Sequence, residues 1–306
     1  MRKLLRPELL LLLVPILYLA TMARTLVLGD PTEYTFVANV LGIAHPPGYA
    51  FITLLGKLIQ TVVPFGEVPW RMHLVSVLAA TSAVLFVYGS VLAYEQGSGR
   101  RAAETGLPIG SIAAVFAALG IAFGADFWQH AIHANPHIIT ATFLSANLFL
   151  LTRWWAAGRG SAAEDNKADR WLLLFSFSAG LGVTHHPLTV FSFPAYAIFI
   201  LMIRPGIWHE WRLLLKMVLL ALLGLSVWLY FPIRSAMGPP FGPTTMNTVD
   251  GFLDHVLGRG ITEALPYYAL HEQPDRARVF WSILRLQYTL PVIFLALLAV
   301  LWPVIA

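Results

Sequence analysis

The residues with chemical potential fall in five short segments. Gly29-Asp30-Pro31-Thr32-Glu33 carries two carboxylates at i and i+3, which share one face if the turn continues as a helix. Placing such a pair at the centre of a bilayer would cost roughly 2.5 to 3.5 kcal/mol per acid, so it should face water or a polar cavity. The same residues also fit a helix cap, with Asp30 as N-cap before a first-turn proline and Glu33 in capping-box position; both readings stand. Ile43-Ala44-His45-Pro46-Pro47-Gly48-Tyr49 follows, where a double proline stiffens the backbone and holds His45 near Tyr49. A stiff connector is the plainer reading, but a connector needs neither an imidazole nor a phenol.

Three further segments are rich in histidine or carry a single arginine. His130, His133 and His137 sit at three- and four-residue spacings, which suits zinc only on an unbroken helix. Pro136 interrupts that helix, so polar loop histidines are expected and no metal is assigned. His185 and His186 precede Pro187 at the end of an apolar run, where imidazoles either cap the helix or hydrogen-bond a phosphate or sugar hydroxyl. Arg234 follows Tyr230-Phe231-Pro232-Ile233, and its guanidinium suits a lipid-linked phosphate or a simple interfacial anchor.

The elements that must position these groups are apolar. Of 306 residues, 58% are hydrophobic and 12% charged, with mean hydropathy +0.69, so lipid must solvate much of the chain. Windows of roughly 20 apolar residues predict an all-α polytopic protein with about eight spanning or partly spanning helices. They run near Leu9–Leu28, His73–Tyr94, Ile109–Ala125, Ile138–Trp155, Trp171–Val183, Leu188–Ile203, Leu213–Phe231 and Phe280–Trp302. The first outer loop, 29–71, contains an amphipathic stretch with Thr53, Gly56, Lys57, Gln60 and Thr61 set against Phe51 to Val63, expected along the interface or as a tilted span. A second outer loop, 232–279, precedes the last span. The whole of 1–306 reads as one transmembrane domain.

Charge sets the expected orientation. Arg2, Lys3, Arg6, Arg100, Arg101, Arg153, Arg159, Lys167, Arg170, Arg204, Arg212 and Lys216 fall on one side, twelve of the twenty Lys and Arg. This bias places the N-terminus in the cytoplasm and the polar segments outside. The net charge of +4 is dispersed between apolar segments, so nucleic acid is not an expected partner. Absent cysteine excludes disulfides and thiolate chemistry. The basic, apolar start ending near Ala23 also fits a cleaved signal peptide, but its length and the spans that follow favour a retained anchor.

GDPTEY, LGIAHPPGY followed by LLGKL, Thr184-His185-His186, and YFPIRS with downstream PPFGP together resemble the DUF2723 family. That family is protein O-mannosyltransferase-like, classed as glycosyltransferase family 117 within the GT-C superfamily, and the similarity runs to near Val256. The resemblance implies a GT-C fold with an outward-facing cavity, in the inner membrane of a bacterium. It implies inverting transfer of mannose or a similar hexose from a polyprenyl-phosphate donor to a hydroxyl of a protein or glycan, with no cofactor assigned. Asp30 would then take the hydroxyl proton with Glu33 as helper. His45, Tyr49, His185, His186 and Arg234 would bind substrate, the last three against the departing phosphate. Where the family carries an acid before Val-Tyr, this chain has Ala134 and then Asn135-Pro136-His137. Relatives also continue past the point where this sequence stops, so a fragment is expected. The alternatives are a transporter or flippase and a non-catalytic relative; the expected spans carry few central charges, which speaks against transport.

Overall fold

The computed structural model describes residues 6–99, 109–158, 162–259 and 269–305, which are mostly helical with no strand among them. The orientation signals Arg2, Lys3, Arg100, Arg101 and Arg159 lie outside the described residues. A 3-10 turn, Pro7–Leu12, leads into α1 (Leu13–Thr21), then α2 (Asp30–Val40), α3 (Ala50–Val62) and α4 (Val68–Ser98). After these come α5 (Ile109–Ala122), α6 (Ala125–Ala131), α7 (Pro136–Ala157), α8 (Ala162–His185), α9 (Phe193–Ile203) and α10 (Trp211–Leu225). The described chain ends with α11 (Tyr230–Ala236), α12 (Val249–Val256), α13 (Gln273–Gln287) and α14 (Leu290–Ile305).

Prolines and left-handed residues set the helix boundaries. Pro31, Pro69 and Pro136 each sit in the first turn of a helix, where the missing N–H is no loss. Asn135 caps α7, its Oδ1 accepting from His137 N at 2.8 Å. Helix α4 stops at Gly99, whose φ of +67° closes the last turn.

By length and composition, α4 and the stretch Trp211–Ala236 can cross a membrane, so the chain has the makings of an integral membrane protein. Among the described residues the number rises to four if two bent pairs each make one span: Gly110–Ala122 with Ala125–Ala131, bent by 70°, and Leu270–Gln287 with Leu290–Ala299, bent by 109°. The expected count of about eight is not reached by length and composition among the described residues. The apolar stretch near the N-terminus is only Pro7–Thr21 in helix, and Pro187–Ile203 opens as a 3-10 turn. Pro7–Thr21 falls short of a straight span, and Pro187–Ile203 lies at its lower limit.

Packing centres on α4, against which α1, α2, α5 and α7 bury Tyr18, Val37, Ala118 and Ile138. Between apolar helices in lipid, close packing and buried hydrogen bonds drive association. Tyr18 Oη, wholly buried, donates to the Ala122 carbonyl at 2.7 Å and ties α1 to α5. His73 on α4 bridges two loops, with Nε2–H on Thr25 O at 2.9 Å and Nδ1 accepting from Ala134 N at 2.9 Å. Helices α8 and α10 meet backbone to backbone: a Cβ on Gly224 would lie 2.4 Å from Phe177 O.

Helix α3 reverses the usual arrangement. Its inner row, Thr53, Gly56 and Gln60, is buried against α2 and α4, while Leu54, Leu58 and Val62 face outward. Gly56 is required by contact, since a Cβ there would stand 2.5 Å from Met72 Sδ.

Candidate active site

The acid pair opens α2. Gly29 supplies the entry turn with φ +87°, and the N-cap position makes no side-chain hydrogen bond. The capping-box reading of Asp30 and Glu33 is therefore corrected. Asp30 is the first helical residue and is exposed to solvent. Glu33 turns away from the helix start: its Oε1 accepts from the His45 backbone N–H and its Oε2 from His45 Nδ1–H, both at 2.7 Å. A carboxylate that holds both backbone and ring fixes the histidine tautomer, leaving Nε2 as the open acceptor atom. Tyr34 Oη lies 3.5 Å from that Nε2, a long contact.

The backbone between Leu41 and Tyr49 is held from a distance. Tyr230 Oη donates to Gly42 O at 2.6 Å, Arg234 Nε to Leu41 O at 2.7 Å and His255 Nε2–H to Ala44 O at 2.9 Å. Ile43 N–H in turn donates to Phe241 O at 2.9 Å. The YFPIRS and PPFGP motifs thus buttress the HPPGY segment. Within that segment Gly48 N–H closes a turn on His45 O at 2.8 Å, the Pro46–Pro47 bond is cis, and Gly48 and Tyr49 take φ of +94° and +53°.

Tyr49 is the hub of a run of rings. It packs on Tyr34, His45, His185 and His186 with centroids 5.2 to 5.7 Å away. The run continues from His186 to His137 at 6.2 Å, to His130 at 5.9 Å and to His133 at 5.8 Å. Burial above all, helped by the nearby acid charges, pushes the Tyr49 phenol upward; burial does the same for Tyr34, so both keep their O–H.

The two adjacent histidines part ways. His185 is wholly buried, its Nε2–H donating to Pro136 O at 2.7 Å, with no partner at Nδ1. It is a strut between α8 and α7. His186 is half-buried; its Nδ1 accepts from Leu188 N at 3.2 Å, so Nε2 carries the proton and is free to donate. Burial, and then His137, pulls the His186 imidazole down to about 4. At neutral pH it offers a hydrogen bond and no charge.

The depressed imidazole makes stability depend on pH. The unfolded ring titrates near 6.5 and binds protons that the folded one refuses, so stability is full above about 6.5 and declines as pH falls toward 4. Chemical unfolding should show this decline shrinking in His186→Gln, whereas an identical pH slope in both proteins would exclude His186 as its source.

Arg234 caps the far end of α2, with Nη2 also reaching Val40 O at 3.5 Å. That end lies about 15 Å along the helix from Asp30, so the guanidinium is not brought to the acid pair. Arg234→Lys keeps the charge but loses the fork that spans two carbonyls. A stability loss of about 1 to 3 kcal/mol is expected, read as the shift in unfolding midpoint; an unshifted midpoint would exclude the clamp.

The acid pair and His45 have ligand atoms within 4.8 Å of one another, a spacing one cation could bridge. Both Glu33 oxygens are already engaged by His45, so a cation there would compete with that pair. His130, His133 and His137 form no such convergent group among the described residues. At the departure from the family pattern, Asn135 acts structurally, its Nδ2 also donating to His130 Nδ1 at 3.0 Å. Tyr34, Tyr230 and His255 were not singled out by sequence reasoning. Their signal was weak, since each is an isolated polar tip whose partner lies elsewhere in the chain.

A helical membrane-type protein with an exposed carboxylate beside a fixed glutamate–histidine pair is the class this architecture defines. The sequence profile described as the N-terminal domain of Protein O-mannosyl-transferase TMEM260 matches residues 30–208, and the chain belongs to this family. It is 28% identical over 256 residues to Protein O-mannosyl-transferase TMEM260 of Mus musculus, covering 79% of this chain and 32% of that protein. It is 25% identical over 255 residues to Protein O-mannosyl-transferase tmem260 of Dictyostelium discoideum, covering 79% and 29% respectively. The chain thus spans about a third of the length of the curated relatives it matches. No solved structure matches it.

Proposed function

We propose that this chain is the membrane part of an inverting glycosyltransferase. It moves mannose or a similar hexose from a polyprenyl-phosphate donor to a hydroxyl, on Ser or Thr of a protein, at the extracytoplasmic face of a bacterial inner membrane. The observation that carries the reading is the exposed Asp30 in the first turn of α2, beside Glu33 and His45 and within the region of family similarity. The names of the relatives, both protein O-mannosyl-transferases, point to the same chemistry.

In the proposed step the Asp30 carboxylate accepts the proton as the acceptor oxygen attacks the anomeric carbon. The bond from that carbon to the phosphate oxygen breaks, and the electron pair leaves with the phosphate. Glu33 holds His45 in one tautomer so that Nε2 can accept a hydrogen bond from a sugar hydroxyl. His186 Nε2–H donates to the departing phosphate, a neutral contact that strengthens as charge develops. His185 and Arg234 position the walls and do not touch the substrate. Helix α3, with Leu54, Leu58 and Val62 outward, lies along the interface and admits the lipid tail.

Comparative mass spectrometry of glycoproteins from cells with and without the gene tests the reading. A hexose-sized mass difference should disappear on deletion. An unchanged glycoprotein profile together with altered lipid or solute distribution would replace transfer with transport.

A further inference from the structure

A polar cavity lies at the other end of the bundle from the acid–histidine site. It has a volume of about 520 Å³ and is formed where the start of α8 meets the turn between α9 and α10. The stretch of α8 from Asp169 to His185 is about 24 Å long. His185 packs on Tyr49, so the cavity and the acid–histidine site stand at opposite ends of α8.

Four cations and two carboxylates line this cleft: Arg170, Arg204, Arg212 and Lys216 against Asp169 and Glu210. Arg204 consumes both acids, donating to Asp169 Oδ1 at 2.8 Å and to Glu210 Oε2. That bridge ties the α9–α10 turn to α8 and leaves the cleft's remaining charge uncompensated. Among the described residues Arg170, Arg212 and Lys216 form no ion pair, and all three are exposed. Arg170 and Arg212 lie over the rings of Trp171 and Trp211 at 5.0 and 5.3 Å, which restrains both guanidinium groups.

We infer that this cleft binds the phosphate headgroup of an anionic membrane lipid. The cations supply the affinity for phosphate, and the surroundings select a lipid over a soluble anion. Trp211 lines the cleft and is exposed, and Trp208, three residues before it, is exposed as well, as aromatic residues are at the headgroup level. Below them, Leu215, Leu219 and Leu222 make an exposed apolar row on α10, along which acyl chains can lie while the headgroup sits among the cations. Basic pockets between helices on the cytoplasmic side recognise anionic lipids in this way.

The test places the full chain in nanodiscs of phosphatidylcholine alone or of phosphatidylcholine with phosphatidylglycerol. Lipid retained in native mass spectrometry and the unfolding midpoint are both read. Phosphatidylglycerol should be retained and should raise the midpoint. Lys216→Gln should weaken retention about fivefold, and the combined Arg170→Gln, Arg212→Gln, Lys216→Gln protein on the order of a hundredfold. The single variant keeps the test decisive if the triple one does not fold. Arg278→Gln, taken from an exposed pair with Asp275 on α13, should leave retention unchanged. Equal retention in wild type and Lys216→Gln would overturn the inference. So would inorganic phosphate in phosphatidylcholine discs reproducing the midpoint rise, because the cleft would then serve a soluble anion.

Discussion

Asp30→Asn should slow hexose transfer by at least about a hundredfold while leaving expression and unfolding midpoint unchanged. The substitution keeps the size of the side chain and removes its capacity to take a proton. General-base catalysis contributes on the order of 10²- to 10⁴-fold, so a rate loss in that range is expected. Stability should hold because Asp30 is exposed and makes no capping bond to α2. Glu33→Gln is the informative contrast. Its amide oxygen can still accept from His45 N, but the carboxylate that fixes Nδ1–H is gone, so the change disturbs the orientation of His45 and leaves Asp30 in place. Transfer with lipid-linked mannose should therefore fall further in the Asp30 variant. An Asp30→Asn protein that transfers at the wild-type rate would remove this residue as the base.

Gly48→Ala should be the most damaging small substitution for the fold. The glycine has φ +94°, where a side chain is strained by about 1 to 3 kcal/mol. Its Cβ would also stand 2.6 Å from Phe231 Cζ and 2.8 Å from Cε1. Phe231 is wholly buried with Ile43, Ala50, Met246 and Val256, so the ring cannot swing away. Overpacking adds about 1 to 3 kcal/mol, giving a total loss of roughly 2 to 6 kcal/mol. Thermal unfolding in detergent would register this as a large fall in midpoint, and transfer should fall with it because His45 and Tyr49 flank the glycine. Gly99→Ala makes a suitable comparison: φ is also positive there, but no atom lies within 4 Å of the added Cβ. Equal losses at the two positions would mean that the approach of Phe231 costs nothing.

Much of this protein follows from local sequence. Composition dictates helices and a lipid environment, because an apolar chain must satisfy its backbone polar groups internally. The start of α2 is legible in Pro31, since a proline at a helix start acts through its own ring and fixed φ, whereas α4 and α7 begin at Val68 and Pro136, ahead of the expected His73 and Ile138. The acid pair, His45, Tyr49 and the adjacent histidines were also visible as residue types in unusual spacing.

Tertiary structure decided what those residues do. Local rules allowed Asp30 and Glu33 to be caps; only the return of the chain at His45 gives both Glu33 oxygens a better partner. His185 and His186 are indistinguishable as neighbours in sequence and both pack on Tyr49, yet His185 is wholly buried with its Nε2–H on Pro136 O, while His186 is half-buried with its Nδ1 accepting from Leu188 N. Arg234 could be read locally as a phosphate ligand or an interfacial anchor; only the fold sets its Nε on Leu41 O and its Nη2 within 3.5 Å of Val40 O, nearly two hundred positions away. The count of spans rests on tertiary structure for a related reason: hydropathy sums side chains over a window, whereas breaks and bends such as those after Ala122 and Gln287 arise from backbone geometry and from what each helix packs against. Side-chain chemistry is a property of the residue, but its direction and its partners depend on contacts between segments that no local pattern encodes.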